Sequence, residues 1–81
     1  MTSNDWYNIE FDHEGVHYNG RVTPEIKHGQ NKASSWHVVL NEVFFGYVHK
    51  HHAHWLVSEQ RPDSLVQAVG KIIDQQGNEN A

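Results

Sequence analysis

The sequence contains no cysteine, no long apolar run and few basic residues. Without cysteine there is no disulfide framework and no thiolate metal site, which fits a reducing compartment. No apolar run approaches the ~20 residues needed to span a bilayer. The N-terminus, MTSNDWYNIE, also lacks the basic and apolar regions of a secretory signal. We therefore expect a cytoplasmic protein that does not enter membranes.

Positive charge is scarce, with six Lys and Arg against ten Asp and Glu, so the formal charge is −4 with the histidines neutral. Nucleic-acid affinity rests largely on Lys and Arg that neutralise phosphates. We therefore regard nucleic-acid binding as the weakest interpretation, although aromatic side chains on a sheet face can stack bases.

Sequence motifs for catalysis are also missing. No serine lies in a Gly-x-Ser-x-Gly elbow, and the six glycines stand apart from one another, so there is no Gly-rich phosphate loop. We expect neither enzymatic activity nor a cofactor.

The sequence does contain a clear pattern of strands followed by a helix. The runs SSWHVVL, VFFGYVH and HWLVS alternate or are rich in β-branched and aromatic residues, as strands are. The period then changes from two to about 3.6 in PDSLVQAVGKIIDQQ, which predicts a helix beginning near Pro62 and ending at Gly77. With a hairpin in the first third, the prediction is an α+β fold: five antiparallel strands, in the order β-β-β-β-β-α, with the C-terminal helix on one face.

The 81 residues are enough for a single domain, 1–81. A domain of this size has only a marginal hydrophobic core. The first hairpin is predicted to have a four-residue turn, 12–15, that pairs Phe11 with Val16. The polar stretch 25–34 is predicted to be a mobile loop, and 77–81 a frayed tail.

The second half is predicted to turn at 41–42, which pairs Val38 with Phe45, and again around 51–52, which pairs His49 with His54. The following residues are then expected to be buried together: Ile9, Tyr18, Val38, Phe45, Tyr47, Leu65, Val69 and Ile72.

The segment from Trp36 to Ile73 contains WHVVLNEVFFGYVHK, HWLVSEQRPDSLVQAVGKIID and the glycine within the helical stripe. It resembles small single-domain bacterial proteins of unknown function, in which a strand meander is followed by a Pro-led helix. The resemblance covers about half the chain and implies the same fold and a bacterial cytosolic origin. It implies no functional residues.

In the strand register predicted from the turns at 41–42 and 51–52, the sheet face away from the helix contains Phe44, Val48, Trp55 and Val57. An exposed apolar patch of this kind typically marks an interface, so we expect a protein partner or a second copy of the chain to cover it. The alternatives are that the sheet curls and buries both of its faces, or that the register differs by one residue, which would exchange the two faces. Gly46, inside a strand, can mark a bulge or a close approach of the backbone.

Eight histidines are unusual in a chain this short, and four of them fall in HKHHAHW. Imidazole is a common metal ligand, so His49, His51, His52 and His54 are candidate ligands for a divalent ion such as Zn or Ni. The alternative is that a solvated hairpin tip simply carries polar residues, with at most weak Ni or Zn binding. Lys50, within the cluster, would repel a cation.

Overall fold

The computed structural model describes residues 6–26, 28–30 and 33–78. The strands are β1 (Tyr7–His13), β2 (Val16–Glu25), β3 (Ser35–Leu40), β4 (Val43–His51) and β5 (His54–Val57), and helix α1 is Asp63–Asn78. Each strand pairs antiparallel with the next, so the sheet order β1-β2-β3-β4-β5 follows the chain. The predicted α+β fold, with five antiparallel strands and one C-terminal helix, is confirmed.

Two-residue turns close three of the hairpins, and both residues of each turn have positive φ, between 50° and 81°. The turns are Glu14–Gly15, Asn41–Glu42 and His52–Ala53. Paired positive φ values suit the twist of antiparallel strands. The four-residue turn predicted at 12–15 is therefore wrong, and Phe11 pairs with Tyr18. This shift of two residues leaves every side chain of the first hairpin on its predicted face.

A β-bulge in β4 has a larger effect. Val39 pairs with Phe44, but Val38 pairs with Gly46, so Phe45 is an extra residue in β4. Gly46 has a φ of 142°, a conformation that side-chain-bearing residues rarely adopt. Because side chains alternate along a strand, one extra residue exchanges the faces of all later β4 residues. The β5 residues that pair with them are exchanged in the same way.

Arg61 stabilises the bulge from the segment between β5 and α1. Its Nε donates to the carbonyl oxygen of Phe45 at 2.8 Å, and its Nη2 donates to that of Phe44 at 3.1 Å. These carbonyls lie where the extra residue disturbs the ladder, so the guanidinium supplies hydrogen bonds at the bulge.

Helix α1 contacts β1 at one edge of the sheet and β4 and β5 at the other, so the sheet curls around the helix. The core between them is apolar. It consists of Ile9, Val22, Val38, Leu40, Phe45, Val48, Trp55, Leu65, Val66, Val69 and Ile73. Five of the predicted core residues are buried, and Tyr18 and Ile72 are partly buried against them. The prediction was wrong for Tyr47, which is 43% exposed because the bulge turns it outward.

Gln67 of α1 covers part of the free edge of β5. Its Oε1 accepts from the Trp55 amide at 3.1 Å, and its Nε2 donates to the Trp55 carbonyl at 2.7 Å. A side-chain amide thus forms the two hydrogen bonds that a sixth strand would form, which protects this edge from pairing with another chain.

The predicted loop and tail are only partly described. Strand β2 continues through Glu25, the first residue of the predicted loop, and residues 27, 31 and 32 lie outside the described residues. The helix continues through Asn78, beyond its predicted end at Gly77, and residues 79–81 lie outside the described part of the chain. The mobility of 25–34 and the fraying of 77–81 remain predictions.

Candidate functional site

The sheet face turned away from α1, here called the outer face, is where candidate functional side chains collect. Alternation along the strands arranges them in cross-strand rows. One row contains Asn8, Arg21, Val39 and Phe44, which are paired in turn from β1 to β4. The next row contains Thr23, His37 and Tyr47. The outer face is therefore polar on β1 and β2 and aromatic on β3 and β4.

Three rings on this face form an aromatic cluster, defined by His37, Phe44 and Tyr47. Their centroids lie 5.2 Å apart for His37–Phe44, 5.2 Å for His37–Tyr47 and 5.7 Å for Phe44–Tyr47. The two pairs with Tyr47 are edge-to-face, an arrangement that aromatic quadrupoles favour. Phe44 is nevertheless 39% exposed and Tyr47 43% exposed, so the cluster presents ring surface to solvent.

The aromatic cluster depends on the bulge. Tyr47 lies directly opposite His37, and Phe44, one row away, lies opposite Val39. With the extra residue Phe45 between them, both aromatic side chains face outward although they are three positions apart. Sequence reasoning missed His37 and Tyr47 as site residues. The available signal was Gly46, directly after two phenylalanines.

The interaction patch predicted from the sequence is not a continuous surface. Of its four residues, Phe44 is exposed, but Val48 and Trp55 are buried in the core, at 0% and 4% exposure, and Val57 is partly buried against them. The reason is the bulge, which turns Val48 toward the helix together with its neighbours on β5. The prediction of an exposed Trp55 was therefore wrong.

Trp55 instead packs on the helix at a position without a side chain. A Cβ atom built on Gly70 would come within 2.1 Å of Trp55 Cγ, so only glycine allows this approach. The ring of Trp36 also lies near Trp55, with the two ring centroids 5.3 Å apart. Gly70 therefore lets the helix approach the sheet closely at Trp55.

The candidate metal ligands do not converge. The short turn pairs His51 with His54, and His49 lies opposite Leu56 rather than His54. His54 Nε2 lies 3.4 Å from an Asp63 carboxylate oxygen, and the rings of His51 and His52 are edge-to-face with centroids 4.2 Å apart. Within the described residues, no group of three or more His, Cys, Asp or Glu side chains could hold a metal ion.

One further histidine is held between two carboxylates at the polar end of the outer face. His17 Nδ1 lies 2.6 Å from an Asp12 oxygen, and His17 Nε2 lies 2.8 Å from a Glu10 oxygen. The hydrogen bond with Asp12, and then the one with Glu10, raises the pKa of His17 because both stabilise the imidazolium. Both ring nitrogens of His17 therefore have carboxylate hydrogen-bond partners within this group of three side chains.

A serine, a histidine and a glutamate also meet beside the helix N-terminus. His13 Nε2 lies 3.2 Å from Ser64 Oγ and 3.7 Å from a Glu14 carboxylate oxygen. In a catalytic triad the base contacts the nucleophile through one ring nitrogen and the orienting acid through the other. Here both contacts involve the same nitrogen, so the arrangement is not that of a triad.

No protein-family model, curated protein or solved structure matches this chain. The resemblance to small bacterial proteins therefore remains a prediction. Among the described residues, no helix combines the length and the apolar character that crossing a membrane requires.

Proposed function

We propose that this chain is a small non-catalytic binding module that holds a protein partner on its outer face, with the aromatic cluster as the centre of contact. The observation that carries the proposal is the cluster itself: three rings, His37, Phe44 and Tyr47, assembled by a bulge on the face that the helix leaves uncovered. Aromatic side chains supply much of the binding energy at protein interfaces.

Leu56 extends the apolar surface toward β5 and is 40% exposed. Full burial of a large apolar side chain is worth on the order of 1.5–3 kcal/mol. With about two fifths of Phe44, Tyr47 and Leu56 still in water, covering all three would contribute roughly 2–4 kcal/mol. This gain is too small for tight binding by itself, so the partner must also contact the polar side of the outer face.

The other interpretations have weaker support. A net charge of −4 disfavours nucleic acid as the partner, even with exposed rings that could stack bases. A divalent-ion function at the β4–β5 turn has no convergent ligand set among the described residues. A second copy of the chain would be a protein partner too, and its presence is an outcome of the test below.

The test compares capture by three forms of the chain. Immobilised parent, Tyr47→Ser and Val16→Ser chains are exposed to extract from cells that express the protein. Val16 is 46% exposed but pairs with His13, far from the cluster, so it is the matched control. We expect a polypeptide that the parent and Val16→Ser chains retain and the Tyr47→Ser chain loses. The purified polypeptide should then bind with the same order of affinities in calorimetry.

Equal retention by all three forms would contradict the proposal. Sedimentation equilibrium at micromolar concentration identifies the case in which the retained polypeptide is the chain itself. Capture of nucleic acid instead of a polypeptide, lost when salt is raised, would support the nucleic-acid interpretation and overturn this one.

A further inference from the structure

A shallow depression adjoins the aromatic cluster on the polar side of the outer face. It has a volume of about 290 Å³ and is lined by Asn8, Asn19, Gly20, Arg21, Val39 and Glu42. Val39 also lies directly opposite Phe44, so the depression and the aromatic cluster form one continuous surface.

Arg21 supplies the positive charge in this depression. Its guanidinium carbon lies 4.6 Å from the ring centre of Trp6, so a partly exposed indole holds the planar group in place. In the part of the chain that the structure describes, no carboxylate oxygen lies within 4.0 Å of Arg21. A guanidinium held in this way presents a fork of donors that matches a planar anion.

The other lining residues favour a carboxylate over a phosphate. Glu42 adds negative charge to the depression, and this opposes a group that carries close to two negative charges. A carboxylate carries a single charge and fits one guanidinium in a bidentate pair. The side-chain amides of Asn8 and Asn19 can donate to its remaining lone pairs.

The distance to the aromatic cluster fits one peptide chain. Arg21 is opposite Val39, which is opposite Phe44, so Arg21 and Phe44 are separated by two strand spacings, about 10 Å. Three residues of a peptide in the polyproline II conformation also cover about 10 Å, and with three residues per turn their side chains i and i+3 lie on the same side of the peptide. We propose that Arg21 binds a carboxylate of the polypeptide partner, about three residues from an apolar side chain that contacts the aromatic cluster. This inference rests on the proposed function of the outer face.

The test uses two peptides that differ by one charge: N-acetyl-Leu-Gly-Gly-Asp amide and its neutral isostere, N-acetyl-Leu-Gly-Gly-Asn amide. Each is titrated into ¹⁵N-labelled parent, Arg21→Gln and Tyr47→Ser chains. We expect the parent to bind the Asp peptide about fivefold to tenfold more tightly, since hydrogen bonds to charged groups are the stronger ones. The Arg21 Nε–H signal should shift with the Asp peptide only. In the Arg21→Gln chain the preference should vanish.

The outcomes separate this inference from the proposed function. Equal binding of both peptides by the parent, weakened in the Tyr47→Ser chain, would leave the outer face as a binding surface and overturn the role of Arg21. A preference for the Asp peptide that survives in the Arg21→Gln chain would also overturn it. Absence of binding by either peptide at millimolar concentration would overturn the role of Arg21, whereas the proposed function of the outer face is decided by the capture experiment. Displacement of the Asp peptide by inorganic phosphate but not by acetate would contradict the assignment of a carboxylate.

Discussion

Replacing Gly70 with alanine should destabilise the domain, although alanine is the better helix former. Gly70 lies inside α1, where exchange of glycine for alanine normally gains about 0.8–1 kcal/mol. The new Cβ, however, would lie 2.1 Å from Trp55 Cγ and 2.3 Å from both Cδ1 and Cδ2. Overpacking of this kind typically costs about 1–3 kcal/mol, and three overlapping ring atoms place this case at the upper end. We therefore expect a net loss of about 2 kcal/mol.

For a domain of this size, a loss of about 2 kcal/mol corresponds to a melting temperature lower by about 10 °C. Urea unfolding and thermal melts monitored by circular dichroism measure both quantities. The matched control repeats Gly70→Ala in a Trp55→Leu background, where the indole is absent and the substitution should be neutral or stabilising. If Gly70→Ala stabilises the parent by about 1 kcal/mol, as helix propensity alone predicts, Trp55 does not lie against the helix and the described faces of β4 and β5 are wrong.

Three further predictions concern the bulge, the β5 edge and the polar end of the outer face. Arg61→Lys should lower the free energy of unfolding by about 1–2 kcal/mol in urea titrations, because one ammonium does not reproduce the two directed donors at the bulge; an unchanged midpoint would contradict the role assigned to Arg61. Gln67→Glu should be more destabilising than an exposed substitution such as Gln75→Glu, since it places a carboxylate against a backbone carbonyl of β5. The NMR-measured pKa of His17 should exceed 6.5 and should fall in Asp12→Asn. Because the pKa is raised in the folded state, the stability that the charged His17 contributes is complete below about pH 6.5. This stability is lost as the pH rises through the folded pKa.

The order of strands and helix could be predicted from the sequence because it depends on local periodicity. Alternating apolar residues identified β1 to β5, and the change to a 3.6-residue period identified α1. The turn at Asn41–Glu42 was correctly placed between two apolar runs. Each of these features is determined by neighbouring residues, so no knowledge of tertiary contacts is needed.

The faces of β4 and β5 could not be predicted in the same way. The run Val43, Phe44, Phe45 is apolar at every position, so alternation does not show which of the three is extra. The bulge is stabilised by hydrogen bonds from Arg61, which lies sixteen residues after Phe45 and seventeen after Phe44. A pattern of neighbouring residues cannot predict these long-range hydrogen bonds. Gly46 was the only local indication. One misplaced residue exchanged Tyr47 with Val48, and with them the residues of the candidate site.

The turn after β4 was misjudged for a related reason. His52 and Ala53 both adopt positive φ, a conformation usually assigned to glycine or asparagine, so the sequence indicated a longer loop. The shorter turn pairs His51 with His54 and separates His49 from His54. The predicted metal site depended on that pairing.

A map of the bound partner on this chain tests the central claim most directly. Amide and side-chain signals of the ¹⁵N-labelled protein are recorded with and without the purified partner captured by the parent. We predict that the largest shifts fall at His37, Val39, Phe44, Tyr47 and Leu56, on the face that α1 leaves uncovered. Shifts concentrated instead on the exposed side of α1, around Lys71 and Gln75, would contradict the assignment of the outer face as the binding surface.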